Sequence, residues 1–148
     1  MNLSSLMFRP PLSGTEWQQY YDLRWRVLRM PWNQAPGSEK DELEESSFHL
    51  AAFDSNNIIY AVGRLNKIDN EIAQIRYMAV EPKQQRIGIG ALLLKNLEEH
   101  ARLNGAKCIS LNARDDYLEF YIKNGYQANR KGHTLFETIT HTVAIKNI

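Results

Sequence analysis

Between residues 84 and 90 the chain reads Gln84-Gln85-Arg86-Ile87-Gly88-Ile89-Gly90, directly ahead of a long amphipathic segment. Two glycines at the mouth of a helix are unfavourable by up to about 1 kcal/mol each relative to alanine. A ligand that needs bare main chain would explain them, because first-turn N–H groups can face an anion and the helix dipole favours its charge. A pyrophosphate suits that position, and Arg86 can add a charge-assisted contact. A tight strand-to-helix turn without ligand accounts for the same two residues. The loop is not a Walker A sequence, because no Gly-Lys-Ser/Thr follows. Nor is it a dinucleotide fingerprint, because the third glycine position falls at Leu93.

The surrounding pattern says which elements must carry this loop. From Ile87 to Asn104 apolar residues recur at helical spacing (Ile89, Leu93, Leu97, Ala101, with Leu94 beside them), and Gly105 marks the stop. Lys95, Glu98, Glu99 and Arg102 fall on the other face, where Glu98 and Arg102 are spaced as an i,i+4 pair. Upstream, Phe48–Phe53 and Ile58–Leu65 read as strands around the turn residues Asp54 to Asn57, and a turn near Asp69-Asn70 leads to Ala73–Val80. In that third strand Ile75, Tyr77 and Ala79 alternate with Gln74, Arg76 and Met78, and Pro82 ends it. Before the strands come a short strand at Met7–Arg9, a helix capped by Ser13 or Thr15 and running to Leu28, and a loop over Pro31–Gly37. The acidic stretch Glu39–Glu45 is expected to form a short helix, either as a solvated face or as a rim attracting a cation. Downstream follow a strand at Lys107–Ala113, a helix at Asp115–Asn124 stopped by Gly125, and strands near Tyr126–Arg130 and Thr142–Lys146.

Composition sets the bounds. The 148 residues are 43% hydrophobic and 24% charged, which fits one domain spanning 1–148 with a core of its own. A single cysteine, Cys108, excludes an internal disulfide framework and favours a reducing, cytoplasmic setting; in mid-strand it reads as packing. The longest apolar run, Ile58–Val62, has five residues against the roughly 20 of a membrane helix, and no signal peptide is expected. A net charge of +1 argues for neither nucleic acid nor membrane as partner. It hides an asymmetry: residues 1–81 carry 8 basic and 11 acidic side chains, residues 82–148 carry 10 and 6. That split is either chance or the mark of two surfaces with different charged partners.

Gln85-x-x-Gly88-x-Gly90, after Tyr77-Met78-Ala79-Val80, resembles the acetyl-coenzyme A signature of the GNAT superfamily of N-acetyltransferases. The segment Glu119-Phe120-Tyr121-Ile122-Lys123-Asn124-Gly125-Tyr126 resembles the second hallmark of that superfamily. The resemblance implies an α/β (α+β) GNAT fold: a mixed central sheet of six to seven strands, with an antiparallel meander and then β-α-β-α-β, flanked by helices. It implies that the strand ending at Val80 parts from a parallel neighbour at Lys107–Ala113. Main chain at Met78, Ala79 and Val80 then holds the pantetheine arm, and a main-chain N–H near Ala79 or Val80 polarises the thioester carbonyl. The N–H groups of Gln85, Arg86, Ile87, Gly88, Ile89 and Gly90 wrap the pyrophosphate, with Asn112 assisting from its strand end. No metal and no covalent enzyme intermediate are implied.

By the same resemblance Tyr121 donates a proton to the departing thiolate, a role compatible with a phenol whose ordinary pKa is about 10. His49, Tyr77, Glu137 and His141 are candidates for the base. His141 stands out because Phe136-Glu137-Thr138-Ile139-Thr140-His141 resembles an Ile-Pro-His element of some GNAT branches, with Thr140 in place of proline. Lys83, Arg86, Arg130 and Lys131 are the cations available to the 3′-phosphate of coenzyme A. The expected function is acetyl transfer from acetyl-CoA to a primary amine on a small molecule or a protein, with a homodimer as a further expectation. The alternative is a non-catalytic acyl-CoA binding or sensing module of the same fold. A nucleotide-binding protein is disfavoured, because neither a phosphate-binding lysine nor a metal-binding acid follows the loop.

Overall fold

A computed structural model describes residues 2–148. Its frame is a seven-stranded sheet: β1 (Met7–Arg9), β2 (Phe48–Phe53), β3 (Ile59–Lys67), β4 (Ile72–Val80), β5 (Cys108–Arg114), β6 (Gln127–Leu135) and β7 (Ile139–Asn147). Three helices flank it: α1 (Gly14–Leu28), α2 (Ile89–Leu103) and α3 (Leu118–Lys123). The order across the sheet is β1-β2-β3-β4-β5-β7-β6, and only the β4–β5 pair is parallel. No described helix is long and apolar enough to cross a membrane.

Side-chain parity in the strands divides the core in two. In β2, Leu50 and Ala52 join the cluster under α2, while Ala51 and Phe53 join the cluster under α1. The predicted stripe of α2 (Ile89, Leu93, Leu94, Leu97, Ala101) is buried as a whole. Ser13 caps α1, its side-chain oxygen accepting from the Glu16 N–H. The acidic residues on the outer face of α2 separate differently from expectation. Arg102 pairs with Glu99 rather than Glu98, because Glu98 is drawn to the hydroxyl of Tyr126 (2.7 Å), just ahead of β6, and to Lys146 of β7 (2.9 Å).

The stretch Glu39–Glu45 is a run of turns, not a helix. Local bonds explain why: the Asp41 carboxylate accepts from the Leu43 N–H at 2.8 Å, and the Glu44 carboxylate accepts from the Asp41 N–H at 3.1 Å. Arg24 and Arg64, both fully buried, then hold these two acids inward. Asp41 and Glu44 are thus neither a solvated helix face nor a free rim, while Glu42 and Glu45 stay exposed. Further down the chain, the last two strands are longer than expected and form a hairpin, turned at Phe136 and Glu137, both at positive φ. The helix expected over Asp115–Asn124 begins as a 3₁₀ turn and is α-helical from Leu118.

Candidate active site

The parallel pairing of β4 with β5 is brief: Ile72–Ile75 align with Cys108–Leu111 and then the strands part. Beyond that point the β4 edge from Arg76 to Val80 and the β5 edge from Asn112 to Arg114 face each other across an opening. A bulge in β4 shapes the opening. Arg64 of β3 is level with Arg76 and Val62 with Ala79, so Tyr77 and Met78 together oppose Gly63. Tyr77 takes φ +58°, a left-handed conformation that costs on the order of 1–3 kcal/mol for a bulky residue.

The bulge reverses which face each later residue serves. Ala73 and Ile75 point to the α2 side, but after the extra residue Met78 and Val80 do so and Ala79 joins the α1 side. The simple alternation of Ile75, Tyr77 and Ala79 expected from the sequence therefore fails at this point. Gly63 suits the position opposite the bulge, since a Cβ there would lie 2.9 Å from Leu97 Cδ1 and 3.2 Å from Leu93 Cδ2 and would make those buried side chains shift.

On one side of the opening the chain leaves Val80 through a 3₁₀ turn at Pro82–Gln84 and enters α2 through the glycine loop. Arg86 (φ +67°) and Gly88 (φ +101°) are both left-handed, and Gly88 is the N-cap of α2 with no side chain to satisfy the first-turn N–H groups. The loop from Gln85 to Gly88 is exposed, and α2 proper begins at Ile89 rather than at Ile87, because Gly88 is not helical. These residues, with Gly90, form a main-chain cradle that suits an anion. Gly90 packs below the Phe120 ring, where an added Cβ would make only ordinary contact at 3.5 Å. Gln85 turns back, and its Nε2 donates to the Val80 carbonyl at 3.1 Å. Arg86, Lys83, Arg130 and Lys131 are all exposed, the last two on β6.

Tyr121, on α3, reaches across to the bulge: its hydroxyl donates to Met78 Sδ at 3.7 Å. Burial pushes its pKa up to about 12, so it holds its proton throughout the neutral range. Asn112 is the first β5 residue past the last β4 pair, and it is half-buried.

The base candidates are placed very differently. His49 is buried, and its Nε2 must donate to the Glu44 carbonyl (2.7 Å), which leaves Nδ1 to accept from Tyr20 (2.8 Å). Its lone pair is thereby committed. Glu137 is exposed in the β6–β7 turn. His141 is buried on β7, level with Arg114, and its Nδ1 must donate to the His133 carbonyl at 2.9 Å. When His141 is neutral, Nε2 is therefore the basic nitrogen. His133 stacks on it at 4.2 Å, and burial, His141 and Arg76 all lower the pKa of His133.

Tyr77 sits in a cluster that sequence reading missed. The guanidiniums of Arg24, Arg76, Arg64 and Arg29 lie 4.5, 4.6, 4.9 and 5.7 Å from its ring centre. Asp41 and Glu44 are shared among three of these arginines. Asp41 accepts from Arg64 (2.6 and 3.0 Å) and Arg76 (3.0 Å), and Glu44 accepts from Arg24 (2.8 Å) and Arg64 (2.7 Å). Burial alone would raise the Asp41 carboxyl, but its bonds to Arg64 and to the Leu43 N–H hold it at about 2. The available signal was two arginines, Arg24 and Arg64, at positions whose neighbours in pattern are core residues.

A split sheet with a bare helix N-terminus beside the split belongs to a known class of enzyme. Residues 17–126 match the acetyltransferase (GNAT) family, and the chain belongs to that family. An uncharacterized N-acetyltransferase, YjcF of Bacillus subtilis (strain 168), is 30% identical over 125 residues, 84% of this chain and 88% of that one. Two solved structures share the fold. A GNAT family acetyltransferase from Elizabethkingia anophelis with acetyl-CoA bound is 20% identical, with TM-score 0.78, over 97% of this chain and 99% of that one. An aminoglycoside 6′-N-acetyltransferase complexed with coenzyme A is 16% identical, with TM-score 0.79, over 96% of each chain.

Proposed function

We propose that the protein moves the acetyl group of acetyl-CoA to a primary amine by direct attack, within a single domain. The observation that carries this reading is the pairing, at one opening, of an exposed glycine cradle with a phenol whose hydroxyl already rests on a sulfur atom. Acetyl-CoA supplies an activated thioester, and the described residues fit it. Gln85, Arg86, Ile87, Gly88, Ile89 and Gly90 offer main-chain N–H groups to the pyrophosphate. The free edge at Met78, Ala79 and Val80 offers main-chain partners to the pantetheine amides, with Asn112 across the gap. A main-chain N–H near Ala79 or Val80 stabilises the carbonyl oxygen as charge builds on it. The acetyl-CoA bound to the Elizabethkingia anophelis protein of the same fold is consistent with this use of the opening.

The amine nitrogen bonds to the acetyl carbon, the carbon–sulfur bond breaks, and Tyr121 gives its proton to the thiolate. A phenol at about 12 is a weak acid in water, but the desolvation that raises it also raises the proton affinity of a thiolate in the same place. His141 takes the proton lost by the amine, through the Nε2 that its bond to the His133 carbonyl leaves basic.

The test is free-thiol release from acetyl-CoA over a panel of amines, with thermal unfolding measured alongside. Acetyl-CoA should raise the melting temperature by mass action. Tyr121→Phe should keep that shift and lower turnover by about 10²-fold or more, the usual scale for general acid catalysis. A melting shift with no thiol release for any amine would instead identify a sensing module.

A further inference from the structure

Arg29 is the one guanidinium around Tyr77 that shares neither Asp41 nor Glu44. Its Nε donates to the Ser38 carbonyl and its Nη1 to the Leu28 carbonyl, each at 3.1 Å. Those neutral partners fix the fork in place and leave Nη2 uncommitted among the described residues. The guanidinium lies 5.7 Å from the Tyr77 ring and 5.6 Å from the Phe136 ring, so it bridges the β4 wall and the β6–β7 turn. The other carboxylate near it, Glu39, is buried and accepts from the Gly37 N–H at 2.7 Å. On the other arm of the opening the guanidinium of Arg114, 5.8 Å from Trp32 and 5.1 Å from Tyr117, is already paired through Nη2 with Asp116 at 2.9 Å, so Arg29 is the fork left to a ligand.

A cationic fork framed by two aromatic rings, with Asp41 and Glu44 close by already neutralised by other arginines, makes a poor seat for a polycation and a good one for a carboxylate. We propose that the acceptor is a small amine that also bears a carboxylate. The carboxylate sits on Arg29 between Tyr77 and Phe136, and the amine is directed into the β4–β5 opening; this rests on the acetyl-transfer reading above. Burial already disfavours the charge on Arg29 and lowers its pKa, so a neutralising partner gains more there than it would in water.

The experiment compares amino acids with their own carboxamides as acceptors, using wild type, Arg29→Gln and Arg29→Lys with acetyl-CoA. Thiol release should favour the carboxylate of each pair by about tenfold to a hundredfold in kcat/KM, the scale of one charge-assisted hydrogen bond. Arg29→Gln should erase that preference by raising KM for the carboxylate, and Arg29→Lys should restore part of it. Equal rates within pairs, or faster turnover of the carboxamides or of an aminoglycoside, would overturn the inference and leave acetyl transfer standing. In parallel, an N-acetylated amino acid should raise the melting temperature of wild type, but not of Arg29→Gln, beyond the value that coenzyme A alone gives each protein. That shift without turnover of any amine would keep the carboxylate seat and refute acetyl transfer. No shift beyond that of coenzyme A alone in either protein would overturn the seat.

Discussion

The two sides of the β4–β5 opening are built by opposite means. On the glycine side, one short stretch from Gln85 to Gly90 presents main-chain N–H groups, and its side chains are largely exposed. On the Tyr77 side, the surface is assembled from α1, the turns after it, β3, β4 and the β6–β7 hairpin, and it works through side chains with charge. A main-chain cradle is indifferent to most substitutions outside its glycines. A charged cluster is not, because each buried guanidinium depends on carboxylates supplied from elsewhere in the chain. The contrast suits a shared cofactor on one side and a particular acceptor on the other.

The largest effect expected from this contrast is on stability, from the Tyr77 side. Asp41→Ala leaves fully buried Arg64 without its bidentate partner and should cost about 3–5 kcal/mol in denaturant unfolding. A loss under 1 kcal/mol would mean that Glu44 alone suffices. Gly88→Val should act on the other side and in another way. It removes the melting shift given by acetyl-CoA, and because Gly88 sits at φ +101° it also lowers the unliganded melting temperature. A full ligand shift in this variant would take the cradle out of cofactor binding.

A smaller effect concerns acid. Asp41 is held at about 2 in the fold against an ordinary value near 3.9, so its ion pairs stabilise the protein above about pH 4. That contribution is lost as pH falls toward 2, and in Asp41→Asn the stability should change less over this window. Smallest, and opposite in sign, is Gly90→Ala. With only ordinary contact awaiting its Cβ, it should be neutral or raise stability by up to about 1 kcal/mol.

The same contrast explains what could be read in advance. The glycine loop, the α2 stripe and the succession of strands and helices along the chain are local or periodic signals, whereas the parallel neighbours at β4 and β5 are implied by the family resemblance. What escaped is non-local. Nothing near Asp41 in the sequence says that Arg64 and Arg76, more than twenty residues away, will hold it out of a helix. Nor does the alternation of Ile75, Tyr77 and Ala79 announce a bulge; the hint was Gly63, in a strand otherwise free of glycine. Glu98 shows the same limit, because its partners Tyr126, just ahead of β6, and Lys146 on β7 override the helical neighbour that spacing alone would choose.

Met78 and Tyr77 are adjacent residues of one bulge, yet the first touches Tyr121 and the second carries the arginine cluster. The two sides of the opening therefore share a single strained piece of main chain. If acetyl-CoA settles that piece, it changes the affinity for the acceptor by some factor, and the acceptor must then change the affinity for acetyl-CoA by the same factor. A substitution that relaxes the bulge, such as Tyr77→Gly, is then expected to weaken that coupling in both directions equally.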